Sequence, residues 1–309
     1  MLLLSEADVA RLLDVRQLID ALAGAFMELS AGRASVPARI AARTPDGLLA
    51  AMPGYVGGML ATKLVTLFPA NHDRGLPSHQ ALIAVFDAAT GTPTAVMDGT
   101  HITAMRTAAA SALATRTLAR PDAEVLAIVG AGVQARSHLA AMRALHEWRE
   151  IRVASRTAVH ARALADELQA TAIDSTEAAV RGADVVCLCT HSAEPVIQRR
   201  WLAAGTHLNS VGYGDGPEVD AATIDGAAVL AVESRAAFSP PPAGCHELAG
   251  RDPAQGTELG EILAGRQGRT SPEELTVYKS MGHAVEDATA ASLVERAARA
   301  AGAGHDIEL

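Results

Sequence analysis

The chain is 309 residues long, 49% hydrophobic by a broad count but only 3% aromatic, with a formal net charge of -9 at pH 7. That length exceeds what one hydrophobic core usually serves, so two domains are expected. An acidic balance without a clustered Lys/Arg run excludes nucleic acid as a partner, because a polyphosphate backbone has to be neutralised by cations.

The amino terminus, Met1-Leu2-Leu3-Leu4-Ser5-Glu6, lacks the basic start and apolar core of a signal peptide. No apolar run reaches membrane-spanning length. Three scattered cysteines, Cys187, Cys189 and Cys245, make no disulfide framework. The chain therefore reads as cytoplasmic, with no membrane partner. Ser5 and Asp14 stand where helix caps belong, and Leu18, Leu22, Ala25 and Leu29 recur at helical spacing until Gly32. Short runs broken by Gly and Pro then predict strands over 48–52, 61–68, 81–87 and 94–97, a mostly antiparallel sheet. A helix over 103–118 follows. From Glu124 the rhythm changes to apolar strands alternating with helices: strands at 125–129, 151–154, 171–173, 183–189, 206–211 and 228–232, with helices between. Asp174-Ser175-Thr176-Glu177 resembles a capping box. Strands that are apolar throughout imply a parallel sheet covered on both faces. The last forty residues read as helix, with an apolar stripe through Ala284, Ala288, Ala291 and Leu293.

Between the strand at 125–129 and its helix lies Gly130-Ala131-Gly132-Val133-Gln134-Ala135, a G-x-G-x-x-A turn. Gly130 permits the tight turn, Gly132 lets backbone approach a pyrophosphate, and Ala135 keeps helix and sheet close; the helix N-terminus supplies N–H donors and a favourable dipole. The pattern alone is weak, but a preceding buried strand, a following helix and a repeated βα series make it a dinucleotide site. The second strand ends in Ala154-Ser155-Arg156-Thr157, where an acid would normally hold a ribose 2′-hydroxyl. An Arg there pairs with a 2′-phosphate, so NADP(H) is preferred and NAD(H) is the alternative.

Lys63 falls within the apolar run Leu60-Ala61-Thr62-Lys63-Leu64-Val65, and Arg106 near the front of a helix built of small residues. A lysine on a buried strand face is costly unless something anionic meets it; the other outcome is an outward-facing lysine on a half-exposed strand. Arg39 follows Pro37 in a loop and is uninformative by itself.

Together with Met52-Pro53-Gly54-Tyr55, the run 63–69 with Asn71, Met97-Asp98-Gly99, the run 103–110, the glycine turn and the run from Lys279 to Asp287, these residues resemble the ornithine cyclodeaminase/mu-crystallin family, in the right order and across nearly the whole chain. The resemblance implies an α/β protein: a Rossmann-type doubly wound parallel sheet plus a second α+β substrate-binding and dimerisation domain. It also implies a homodimer, a nicotinamide cofactor and a small 2-amino or 2-imino carboxylate as substrate. We expect the Rossmann domain over 120–275 and the second domain over 1–119 with 276–309. The implied site has Arg39, Lys63 and Arg106 around the substrate carboxylate, with Lys63 exchanging a proton with the amine or imine. Gly130, Gly132, Val133, Gln134, Ala135, Ser155, Arg156, Thr157, Thr190, Ser280 and Gly282 would bind cofactor, with the segment 279–282 at its nicotinamide end.

Two departures bear on the substrate. Where ornithine cyclodeaminases carry a glutamate before Met-Pro, this chain has Ala50 and Ala51, and their Gly-Gly-Asp strand end is replaced by Val211-Gly212-Tyr213-Gly214-Asp215. Asp215 is offset by one and is the candidate catalytic replacement. Loss of carboxylates that address a second amino group argues against ornithine. An NAD(P)H-dependent imino or amino acid oxidoreductase is therefore expected, with a cyclodeaminase and a non-catalytic NADP-dependent ligand binder as the competing functions. Cys187 and Cys189 suit apolar packing, and no metal site is expected. Cys245-His246 after Pro240-Pro241-Pro242 has no assigned chemistry, and His72, Asp73 and His79 read as turn or surface residues.

Overall fold

The computed structural model describes residues 1–212, 215–241 and 243–308, with His72 described by its backbone alone. Tyr213 and Gly214 of the expected strand-end segment, Pro242 and the His72 side chain thus lie outside the described residues. The chain forms two compact units, Met1–Arg106 with His283–Leu309, and Thr107–Gly282.

In the first unit, β1 (Leu2–Leu4) leads to α1 (Glu6–Leu12) and α2 (Val15–Ser30). Ser5 and Asp14 cap these helices as expected, accepting from Asp8 N and Gln17 N. Then come β2 (Ile40–Arg43), β3 (Leu48–Val56), β4 (Met59–Leu67), β5 (His79–Asp87) and β6 (Pro93–Asp98), joined edge to edge as β1-β6-β5-β4-β3-β2. β2 to β6 are antiparallel and β1 runs parallel to β6. Alternation is clean: Ala50, Met52 and Val56 of β3 and Ala61 and Lys63 of β4 point into the core, with their neighbours on the other face. β1 and β2 were not expected, because a three-residue strand and an exposed edge strand carry too short a pattern.

α3 (Thr100–Leu118) contains the division between the units, after Arg106. Its run of Ala108, Ala109, Ala110, Ala112 and Ala114 is fully buried. The second unit proceeds through β7 (Val125–Val129), α4 (Val133–Leu145), β8 (Glu150–Ala154), α5 (Ala158–Glu167), β9 (Thr171–Ala172), α6 (Thr176–Val180), β10 (Val185–Leu188) and β11 (His207–Ser210). α7 (Ala221–Asp225), β12 (Val229–Val232), β13 (Thr257–Glu258), α8 (Leu259–Leu263) and β14 (Thr276–Lys279) complete it. All eight strands are parallel, in the order β13-β12-β14-β11-β10-β7-β8-β9. The chain winds outward from β7 through β8 to β9 and then returns to β10 on β7's other side, so the topological switch point lies between β7 and β10. Within the segment 174–177, Ser175 is the N-cap of α6, its side chain accepting from Ala178 N.

α9 (Ala284–Ala301) and β15 (His305–Asp306) return to the first unit, β15 pairing with β1. The expectation of helix through the last forty residues is corrected by β14, which lies buried between β11 and β12. Its four residues, Thr-Val-Tyr-Lys, are too few to show a period and end in a charge. The compact units accordingly part after Arg106 and Gly282, where bounds at 119 and 275 were expected.

Candidate active site: a glycine turn and a buried ion-pair cluster

In the second unit the fully buried strand β7 delivers the chain into the glycine turn. Gly130 has φ +123°, and a Cβ there would lie 2.5 Å from the Cys189 carbonyl oxygen, so only glycine brings the turn this close to the end of β10. Gly132 differs: a Cβ would meet nothing within 4 Å. It is the N-cap of α4, has no side chain with which to cap that helix, and has Val133 exposed beside it. Bare amides at a thirteen-residue helix, with open space above Gly132 and at the switch point of a parallel sheet, fit a dinucleotide pyrophosphate. Ala135 is fully buried, as its role in close helix–sheet packing requires. Gln134 Oε1 is buried with no partner among the described residues.

Ser155, Arg156 and Thr157 follow β8 at its carboxyl end; Arg156 and Thr157 are exposed, and the Thr157 amide donates to Ser155 Oγ at 3.4 Å. No acidic residue stands in this tetrad.

Beyond the other strand ends the structure reveals a buried network that sequence reasoning missed. Glu218, 2% exposed, accepts four hydrogen bonds: from Thr190 N and Oγ1 (2.8 and 2.6 Å), Ser210 Oγ (2.7 Å) and Gly212 N (2.8 Å). Lys279, fully buried at the end of β14, donates to Ser210 Oγ, to the Gly212 carbonyl and to Glu247 Oε1. Burial opposes its charge, but the carboxylates of Glu247 and Glu218 outweigh burial and hold the ammonium above its ordinary range. Glu233, just past β12, accepts from Ser280 Oγ (2.6 Å), Met281 N and Gly282 N. Thr190 and Ser280, expected at the cofactor, thus have their hydroxyls committed to carboxylates of the protein. Asp215 is exposed in the segment between Gly212 and Glu218. The missed residues lie in loops where an isolated Glu carries no periodic signal.

In the first unit Lys63 is inward and 2% exposed, settling the choice its strand left open. Its Nζ lies 3.0 Å from Asp287 Oδ1 and 2.9 Å from Oδ2. Arg106, on α3, is 5% exposed and donates from Nε to the same Oδ1 at 3.2 Å and from Nη1 to Glu286 Oε2 at 2.8 Å. Both acids sit in the first turn of α9, where the helix dipole favours negative charge, and Glu286 Oε1 also accepts from the His283 amide. α9 reaches this depth because a Cβ on Gly54 of β3 would stand only 3.0 Å from that of Ala284. Lys63 is thereby pushed down to about 8, first by burial, then against the attraction of Asp287 and with the repulsion of Arg106. Arg39 is half-buried just before β2, two strands from Lys63. Ala50 is buried on the Lys63 side of β3 and Ala51 lies on the opposite side.

Cys187 is fully buried, its thiol pushed up to about 12 by burial, and Asn209 Nδ2 approaches its sulfur at 3.7 Å. His79 is exposed at the start of β5, and Cys245 is buried. Among the described residues no group of three or more His, Cys, Asp or Glu is placed to hold a metal ion, and no helix is long and apolar enough to cross a membrane.

A family model described as "Ornithine cyclodeaminase/mu-crystallin family" matches residues 1–302. Ketimine reductase mu-crystallin of Mus musculus is 41% identical over 254 residues, covering 80% of each chain. The structure of Thermococcus litoralis Delta(1)-pyrroline-2-carboxylate reductase in complex with NADH and L-proline superposes with a TM-score of 0.90 at 35% identity, over 99% of this chain and 100% of that one. An archaeal alanine dehydrogenase dimer with bound NAD gives a TM-score of 0.90 at 29% identity, over 100% of this chain and 99% of that one.

Proposed function

The chain belongs to the ornithine cyclodeaminase/mu-crystallin family, and on that premise we propose that it is an NAD(P)H-dependent reductase of small 2-imino carboxylates, of the ketimine reductase type. The observation that carries this is the burial of Lys63 and Arg106 within reach of one carboxylate of the protein. Two cations sunk in an apolar core and held by a shared acid fit a carboxylate-bearing substrate, with Arg39 as its third partner. When bound, a reduced nicotinamide supplies the hydride that adds to the imine carbon. The π electrons of the C=N bond then pass to nitrogen, which takes a proton. Lys63, with its pKa lowered towards neutrality, is suited to hold that proton at Nζ, and Asp215 is the second candidate for proton transfer. Orientation by the cations supplies the remainder of the catalysis.

NADP(H) is the preferred cofactor because Arg156 is exposed where an acid would repel a 2′-phosphate. A homodimer is supported by the outer face of the first unit's sheet. Ile40, Ala51, Leu64 and Leu82 form one row across β2 to β5, with Ile40 70% and Leu82 42% exposed. A second copy of the chain is the occupant we assign to it, the alanine dehydrogenase relative having been solved as a dimer. Three free thiols in an acidic chain fit a reducing cytoplasm.

Oxidation of NADPH followed at 340 nm against cyclic and acyclic 2-imino acids tests the proposal. Turnover of at least one is expected, and silence across the set refutes it. Ornithine with catalytic NAD is expected to yield no proline or ammonia, since Ala50 and Ala51 offer no carboxylate to a second amino group.

A further inference from the structure

Lys63 and Arg106 come from β4 and α3, elements distant in sequence, and they meet at Asp287 of α9. Asp287 is itself 1% exposed, and one of its oxygens, Oδ1, is shared by both cations. We propose that Asp287 is a positioning residue for the substrate-carboxylate site: it sets the spacing of Lys63 and Arg106 and keeps Lys63 protonated.

The proposal rests on the reading of Lys63 and Arg106 as the carboxylate site. Among the described residues, the charged groups that act on Lys63 are Asp287, Glu286 and Arg106. α9 presents Asp287 and Glu286, α3 presents Arg106, and the register neighbours on β3 and β5 are Met52 and Ile83, neither of which titrates. Glu286 is engaged by Arg106 and by the His283 amide, so Asp287 is the acid in direct contact with the ammonium. Burial works against the charge on Lys63, and the attraction of Asp287 is the largest force opposing that loss. Without the acid, Lys63 and Arg106 repel each other in a site that water cannot screen.

The test compares Asp287→Asn with the native enzyme in kcat/KM for an imino acid against pH, at saturating NADPH. Substrate ionisation is common to both proteins and cancels in the comparison. The basic limb is expected to move acidward by about one pH unit or more, with KM for the imino acid raised about tenfold at neutral pH. A merely structural role lowers activity at every pH and leaves the limb in place, and that result overturns the proposal. Asp287→Glu retains the charge and loses the spacing. It is expected to keep the limb and still raise KM, so it decides the matter should Asp287→Asn not fold; an unchanged KM in this variant also overturns the proposal. Lys63→Met separates the two claims. If it leaves KM for the imino acid unchanged while NADPH still binds by fluorescence, the carboxylate site itself is misplaced. If it raises KM but Asp287→Asn leaves the limb unmoved, only the role of Asp287 is lost.

Discussion

A lysine within an apolar strand has two physical outcomes: its charge faces water, or it is buried against an anion. Nothing within the run 60–65 decides between them, because a shift of one residue in register turns every side chain over. The choice was made by Asp287, 224 residues further along. Arg156 is the opposite case. It lies just beyond Ser155 after the end of β8, and the strand–turn–helix motif that precedes it is what makes it the proposed partner of a 2′-substituent. Arg156→Ala is expected to weaken NADPH binding about tenfold and to change NADH binding less than about twofold, measured by fluorescence titration. Tighter binding of NADH than NADPH by the native protein would remove the assignment altogether. Glu218, Glu233 and Glu247 were illegible for another reason. Their partners are backbone amides, hydroxyls and, for Glu247, the Lys279 ammonium, brought together by the fold, and no spacing in the chain announces such partners.

Among the elements, the long buried strands and helices were legible from their periods, and β7 was expected at the bounds it has. β14 was not, since its interior place depends on pairing with β11 and β12 and not on any pattern of its own four residues. Two elements also carry a latent pH sensitivity. His138 of α4, bonded to the Gln134 carbonyl and Ser111 Oγ, is lowered to about 4 by burial, partly offset by that carbonyl. His207 of β11, near Thr276 Oγ1 and Asn209, is lowered to about 3 by burial and then by Arg269. Both are neutral in the folded protein at pH 7, whereas unfolded histidine takes up a proton near 6.5. Stability is therefore complete above about pH 6.5 and lost as pH falls toward 4, by about 1.4 kcal/mol per pH unit for each histidine. Urea midpoints between pH 7.5 and 4.5 check this. His138→Gln is expected to flatten the slope by about one proton's worth, and an unchanged slope would show that this side chain does not titrate on unfolding.

At the scale of the whole molecule, the row Ile40, Ala51, Leu64 and Leu82 is more apolar than a water-facing sheet requires. Leu64→Glu with Leu82→Glu is expected to convert the proposed dimer to monomer in light scattering after size exclusion, with little loss of NADPH binding, because these residues lie in the unit that does not carry the glycine turn. A native monomer at micromolar concentration refutes the assignment.

The division between chain and fold follows from the range over which each signal acts. Residues near one another in sequence announced the glycine turn, the alternation of β and α, the caps at Ser5 and Asp14 and the cation after β8, since local geometry and hydrophobic period are properties of a few consecutive residues. What only the tertiary structure decided depends on residues brought together from afar: that Lys63 faces inward, that it shares Asp287 with Arg106, and that Glu218 and Lys279 fill a buried network. Burying a charge is tolerable only where an opposite charge or a set of donors arrives to meet it. In this protein those partners arrive from other strands, from loops and from the far end of the chain.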